Sequence, residues 1–478
     1  MKNKFFFIFL FIAFQSRGQT CDCAKEFEWL KTTFETNDAG FSQTIDSKGK
    51  DAYQIHNILF EKRVSNSSSA SECESILNNW LHFFRKGHIG IRYLGSSIND
   101  GVSKFKYKNT GLVDVDVDVD VETYLKNQNK VNKKGFLDIW YDDTYRIGVK
   151  KEGDKYYGFV ISSKNKNWKP KEIKFIINPD SSATYYMGNK SSVAFAKAEI
   201  TGENYLVMDY IGFQRENPKL ETPITTKLHY RALKQKGPFI EKINSNTLYL
   251  NIPFFYPSVK PKIDSVLQKN AYILKSTPNL VIDIRNNGGG ADRSYKEIIP
   301  YLYTNPIKSV SVEWLSSKAS QKEMKNFSQT ITGAKSYYEN ALKRMIGNEG
   351  EFINISNKPF SVYKQPEVFK NPQNVIILIN NFVGSTSEQF LLAARQSRKV
   401  KLLGRPSGGA IDISNLNLQT SPSGLFELKY GQSRSLRYPL MKIDDGGIQP
   451  DYFMDATLPE YKWIDYAVEL LSNASAHK

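Results

Sequence analysis

The 478-residue chain is long enough for two or three domains and for a sizeable buried core, which excludes a small disulfide-stapled scaffold. Hydrophobic residues at 40% and charged ones at 24% exclude wholesale disorder, and 27 Tyr, 29 Phe and 6 Trp favour half-buried strands over coiled coils. The net charge of +16 comes from lysines spread singly and in pairs such as Lys133–Lys134 and Lys150–Lys151, interleaved with acids; without a basic stripe or arm, no nucleic-acid partner is expected.

At the start, Lys2 and Lys4 precede an apolar run from Phe5 to Phe14 and then small and polar residues, the layout of a secretory signal peptide over residues 1–19. The run is shorter than the ~20 apolar residues of a spanning helix, and no second such stretch follows. The expectation is an exported protein, periplasmic or extracellular, that does not span a membrane. Export permits a disulfide, and Cys73 could pair with Cys21 or Cys23, one thiol being left over; CxC is not a zinc spacing.

Phe27, Leu30 and Phe34 recur at helical spacing, as do Cys73, Ile76, Leu77, Trp80, Leu81 and Phe84 over residues 71–86. Gly87 stops the second helix after Arg85–Lys86, and IGIRYL then reads as a strand, so His88 stands at a helix-to-strand corner. Residues 20–95 thus read as a helical cap. Residues 100–235 show short alternating runs broken by Gly, Asn, Asp and Pro, which predicts an antiparallel β module. Within it, LVDVDVDVDVE puts Asp114, Asp116, Asp118 and Asp120 on one face, ~6.6 Å apart along an extended strand. Calcium needs oxygens that wrap it, so the segment reads as a half-buried strand or a solvated acidic linker. From 240 to 475, the β-rich runs TLYLNIPFF, NLVIDIR, NVIILIN and KVKLLG alternate with helical stretches such as IDSVLQKNAYIL and EQFLLAARQS, and TLPEYKWIDYAVELLSN closes the chain as an amphipathic helix. That alternation predicts an α/β core with a parallel component.

Three segments carry chemistry. LVIDIRNNGGG runs a buried strand into consecutive glycines whose bare N–H groups can bind an anion, in a spacing that fits no nucleotide motif. In NVIILINNFVGSTSEQF, Ser385 opens a helix where backbone N–H groups and the helix dipole favour a developing oxyanion; with Glu388 it also forms a capping-box pattern. KIDDGGIQPD sets adjacent carboxylates before a Gly–Gly turn. Neither HExxH nor CxxC occurs, so neither a metal nor another cofactor is expected.

Taken in order, DIRNNGGG, GSTSE, LLGRPSGG and GGIQPD resemble the successive motifs of the tail-specific, or C-terminal-processing, serine peptidases, over residues 245–470. The resemblance implies a crotonase- or protease-spiral-like α/β core. It also implies Ser385 as nucleophile, with backbone N–H groups of Thr386, Gly288 and Gly289 as the oxyanion hole. Many members place a catalytic lysine just after the turn matching LLGRPSGG, where this chain has Ala410. The tricorn-core branch instead takes a histidine from the N-terminal region and a carboxylate near the closing motif, which here implies His88 as base and Asp444 as its orienting group. No carboxylate-binding loop of the PDZ type is visible in 100–235. The reading is an exported serine endopeptidase acting on peptides or unfolded protein segments through an acyl-enzyme. Its rivals are a catalytically silent member binding peptides or small apolar ligands in the same cleft, and a crotonase-like acyl-CoA enzyme, which export disfavours.

Overall fold

The computed structural model describes residues 21–67, 69–95, 118–127, 135–217 and 221–476. The expected signal segment lies outside them, as do Asp114 and Asp116. The chain forms two compact units, each drawn from three separated stretches: residues 1–97, 311–359 and 412–439 make the first, and 98–310, 360–411 and 440–478 the second.

In the first unit, helices Cys23–Asn37 and Ala70–Leu81 pack Phe27, Leu30, Phe34, Leu77, Trp80 and Leu81 against Phe426, Leu428 and Tyr430 of the long strand Phe426–Ser435. That strand pairs antiparallel with Gly90–Tyr93, with Val312–Leu315 and with Ile413–Thr420. Between the two expected helices stand two more, Phe41–Lys48 and Lys50–Ser65. The predicted helix over 71–86 ends early, at Leu81, because Arg85 turns its side chain back on the chain. Its Nε donates to Gly87 O at 3.1 Å and its Nη2 to His88 O at 3.1 Å, while both Nη atoms grip the buried Asp38 carboxylate at 2.7 and 2.5 Å. The disulfide joins Cys23 to Cys73, and Cys21 is the free thiol.

In the second unit, a nine-stranded antiparallel sheet spans residues 139–215. The described end of the aspartate run, Asp118–Asp120, is not a strand. Asp120 caps the helix Val121–Asn127 instead, accepting from Glu122 N–H at 3.1 Å and from the Thr123 hydroxyl at 2.6 Å. One side chain inside the sheet is unusual. Lys174 is fully buried, its Nζ 3.9 Å from the ring centroids of Tyr145 and Trp168 and 4.7 Å from that of Tyr185, and it donates to Tyr186 O at 2.6 Å.

The rest of the second unit is the α/β part. Its six-stranded sheet runs Phe239–Asn244, Thr247–Asn251, Asn279–Asp283, Asn374–Ile379, Val400–Gly404, Tyr452–Phe453; the first pair is antiparallel and the others parallel. The three inner strands Thr247–Asn251, Asn279–Asp283 and Asn374–Ile379 are buried almost throughout because both faces are covered. Leu280, Ile282, Val375, Ile377 and Leu402 face a core completed by Phe390 and Leu391 of the helix Thr386–Ala394, while Val281, Ile376, Leu378 and Leu403 face Trp463, Ile464 and Ala467 of the closing helix Trp463–Ala476. Each such side chain contributes roughly 1.5–3 kcal/mol relative to exposure. The stretch read as one helix, IDSVLQKNAYIL, is two, Lys260–Lys269 and Ala271–Ser276; Asn270 breaks it by turning its own amide onto Val266 O at 2.8 Å.

Two outcomes are expected. The disulfide closes a separation of 50 residues, so the double substitution Cys23→Ala/Cys73→Ala should lower stability by about 4 kcal/mol in the chain-entropy model; unchanged denaturant midpoints would contradict this. Burial pushes the Lys174 ammonium down to about 7, with Asp142 pulling the other way. An unfolded lysine titrates near ~10.4, so between these values the unfolded chain binds the extra proton and stability rises with pH. The wild-type melting temperature should therefore gain on that of Lys174→Met from pH 7 to 10; a constant difference between the two would contradict the assignment.

Candidate active site around Ser385

The strand Asn374–Ile379 delivers the chain into a short turn, and Ser385 ends that turn immediately before the helix Thr386–Ala394. Ser385 has φ 56° and ψ −123°, outside any basin a side-chain-bearing residue ordinarily occupies. Such a conformation costs of order 1–3 kcal/mol and persists only where its surroundings hold it. Here its N–H lies between two acceptors, Glu388 Oε2 at 3.0 Å and Ala410 O at 3.1 Å.

Glu388 is more than a helix cap. Its side chain is fully buried; Oε1 accepts from the Ser407 hydroxyl at 2.5 Å and Gly409 N–H at 2.8 Å, and Oε2 from Ala410 N–H at 2.9 Å as well as from Ser385. Burial pushes its carboxyl up, and the donors Ser407, Ala410, Gly409 and Ser385 pull it back. The turn at 407–411 is held in turn by the closing motif. Ile448 N–H donates to Ser407 Oγ at 2.7 Å, Asp445 N–H to Gly409 O at 3.0 Å, and Ile411 N–H to Asp444 Oδ1 at 2.6 Å. Asp444 is buried and Asp445 exposed, so the two adjacent carboxylates have different environments.

On the other side of Ser385 lies the glycine turn. Gly289 sits at φ 107°, where a Cβ would come within 2.8 Å of both Gly384 O and Ser385 Cβ and 3.0 Å of Thr386 N. Only glycine lets the turn press this closely on the serine. Asn287 ties it down, its backbone O accepting from Gly384 N–H at 3.2 Å, its Oδ1 from Gly289 N–H at 3.0 Å, and its amide donating to Ile252 O at 3.0 Å. Asn286 and Asn380 exchange bonds across the same gap, Asn286 N–H to Asn380 Oδ1 and Asn380 Nδ2 to Asn286 Oδ1, both at 3.0 Å. Of the three expected oxyanion donors, Gly289 N–H is taken by Asn287. Those of Gly288 and Thr386 have no hydrogen-bond partner among the described residues. Gly288 is exposed, and Thr386 opens a helix, where the dipole favours negative charge.

Ser385, Thr386, Gly288, Gly289 and Asp444 all belong to the second unit; His88 belongs to the first. His88 has φ 56° at its corner, and its Nδ1 faces Ile413 O at 2.6 Å. A carbonyl can only accept, so Nδ1 carries the proton and the lone pair of the neutral ring is on Nε2. Burial pushes the imidazole down to about 4; the Ile413 bond pulls it up, and Arg85 and Lys429 lower it further. Sequence reading missed Ser407 and Asn287. Ser407 was signalled by its place before the Gly408–Gly409 pair, but nothing local to either residue points at Ser385. Among the described residues no three His, Cys, Asp or Glu side chains gather as a metal site, and no helix is long and apolar enough to cross a membrane.

Residues 246–454 match the family model of peptidase family S41, and all four motifs lie inside that stretch. No curated protein matches the chain. Among solved structures, the fold is similar to that of mature CPAF complexed with lactacystin, with a TM-score of 0.53 at 12% identity over 95% of this chain and 98% of that one. It is likewise similar to mature CPAF alone, with a TM-score of 0.51 at 12% identity over 94% and 96% of the two chains.

The glycine turn can be tested directly. Gly289→Ala should cost of order 1–3 kcal/mol, through strained backbone and contact with Ser385. Gly288→Ala, whose Cβ would meet nothing nearer than 4.0 Å, should stay within about 0.5 kcal/mol of wild type. Equal melting temperatures for the two variants would contradict this geometry.

Proposed function

We propose that the protein is an exported serine endopeptidase that cleaves peptides or unfolded protein segments through an acyl-enzyme. The observation that carries this reading is the backbone of Ser385, a non-glycine residue held at positive φ between a strand and a helix. Such a turn lifts a hydroxyl clear of its neighbours and sets it beside the first N–H groups of the helix. The match of residues 246–454 to a peptidase family supports it.

In this mechanism Ser385 Oγ attacks the scissile carbonyl, and the oxyanion that forms takes hydrogen bonds from Thr386 N–H and Gly288 N–H. Gly289 serves by its closeness to the serine rather than by its own N–H. A serine needs a base within about 3 Å, and with Ala410 at the place of the family lysine this reading assigns that role to His88. Its depressed titration keeps the ring neutral at pH 7, and the Ile413 carbonyl fixes the tautomer with Nε2 free to accept the serine proton. His88 then returns the proton to the leaving amine, and the same base activates the water that releases the acyl group. Because a carbonyl already occupies Nδ1 and Nε2 takes the serine proton, neither ring nitrogen is left for Asp444, which is assigned a smaller share through the Ile411 N–H that it holds.

Ser385→Ala and His88→Ala should each abolish peptide turnover with the melting temperature preserved, whereas Asp444→Ala should cost on the order of a hundredfold. The acid limb of the kcat/KM profile should fall near pH 4 and not near the ~6.5 of an ordinary histidine. A serine-reactive fluorophosphonate should label the wild type and not Ser385→Ala. Ala410 at the lysine position favours one other reading, a silent member that only binds peptides, and absence of labelling in the wild type would establish it. Full activity in His88→Ala would remove the histidine-base mechanism.

A further inference from the structure

Just after the strand Thr247–Asn251, residues 254–256 run alongside the glycine turn. Phe255 N–H donates to Gly289 O at 3.1 Å, Ala291 N–H donates to Phe255 O at 3.0 Å, and Gly290 packs so closely that a Cβ there would lie 2.2 Å from the Phe255 carbonyl carbon. Side chains alternate along this extended stretch. Phe255 points inward, fully buried, its ring 5.6 Å from that of Phe390 on the helix that Ser385 opens. Phe254 and Tyr256 point the other way and stack on each other, with centroids 5.0 Å apart and planes 6° from parallel. Tyr256 is 42% exposed. A third aromatic, Phe382, is 39% exposed on the turn leading into Ser385, and its carbonyl lies 4.0 Å from where a Gly288 Cβ would be. Two separate segments that carry exposed aromatic residues therefore border the glycine turn.

The chemistry of the surrounding chain is one-sided. Residues 252–258 (IPFFYPS), 286–291 (NNGGGA) and 380–385 (NNFVGS) contain no charged side chain, in a protein where charged residues make up 24%. The nearest charge is Asp292, just beyond the second stretch and hydrogen-bonded to the Thr386 side chain, so an acidic group brought here would be repelled as well as dehydrated, and a basic one would still lose water against the rings. An apolar ring or branched chain would bury area against rings already fixed by stacking and by the sheet bonds behind them, with little side-chain entropy left to lose.

We infer that Phe254, Tyr256 and Phe382 form the wall that receives the substrate side chain beside the scissile bond, and that this side chain is aromatic or large aliphatic. The inference rests on Ser385 being the nucleophile, and the test separates the two. A peptide series differing only in one residue at the cleaved bond (Phe, Leu, Lys or Asp) is assayed for cleavage by the wild type, and for binding to Ser385→Ala by fluorescence anisotropy. The Phe and Leu peptides should be favoured over Lys and Asp by at least tenfold in both kcat/KM and affinity. The double variant Phe254→Ala/Tyr256→Ala, with a wild-type melting temperature, should lose most of that preference, mainly through KM, and Tyr256→Phe should retain it. Cleavage or binding that ignores the varied residue, a preference unchanged in the double variant, or no binding of any peptide would overturn the inference. Selective binding to Ser385→Ala that the double variant loses, with no cleavage by the wild type, would sustain the wall and overturn the peptidase reading alone.

Discussion

A single buried carboxylate holds the candidate site together. Glu388 takes four hydrogen bonds from two segments of chain: its own helix start, and the turn that brings the hydroxyl of Ser407 and the backbone of Gly409 and Ala410. A carboxylate with no access to water is tolerated only where donors replace the hydration it lost, and charge-assisted bonds of this kind are the stronger class. The arrangement works in both directions. The donors stabilise the charge, and the charge fixes the position of each donor, including the N–H of Ser385, whose backbone would otherwise relax out of its strained state.

Opposite that carboxylate, the glycine turn is held by neutral groups. Asn286, Asn287 and Asn380 supply short amides that both donate and accept, so the turn is fixed without importing charge beside the serine. Behind the turn, Arg285 spans the Asp283 carboxylate, with Nη2 2.6 Å from Oδ2, and Tyr249 donates to the same oxygen at 2.7 Å. The serine is therefore gripped from one side by the Glu388 carboxylate and from the other by an amide lattice backed by the Arg285–Asp283 pair. Both stand on strands buried on two faces, the kind of rigid base that precise placement needs.

The α/β part was legible because its signals are local. NLVIDIR and NVIILIN are nearly continuous apolar runs, as strands covered on both faces must be, and these two and KVKLLG became parallel neighbours in turn. Ser385, Glu388 and the glycines stood out for the same reason, since a strand, a turn and a helix start are written in consecutive residues. What was not legible is partnership at a distance. Nothing in residues 311–359 or 412–439 distinguishes them from the core in which the linear reading set them, yet they fold with the N-terminal helices. Phe426–Ser435 finds Gly90–Tyr93 in the register Gly90 opposite Lys429, and periodicity specifies an element but not its neighbour. The aspartate run left two readings open, and only its end is described. Alternation is compatible with a half-buried strand but does not require one, and Asp120 caps a helix, where a short carboxylate satisfies backbone donors that a strand would pair for itself.

The strand Phe426–Ser435 has a consequence for the order in which the molecule can come into being. It lies about 400 residues after Cys23, yet Phe426, Leu428 and Tyr430 complete the core of the helices that begin there. A ribosome delivers these helices first, and they must then wait, with Trp80 and Phe34 lacking part of their cover, until Phe426–Ser435 has emerged. The cluster around Ser385 waits in the same way for Asp444 and Ile448. Synthesis therefore supplies an interlock: a chain stopped before Phe426 has neither a finished first unit nor a braced serine, and the segments that supply both, Phe426–Ser435 and Asp444–Ile448, emerge within about two dozen residues of each other.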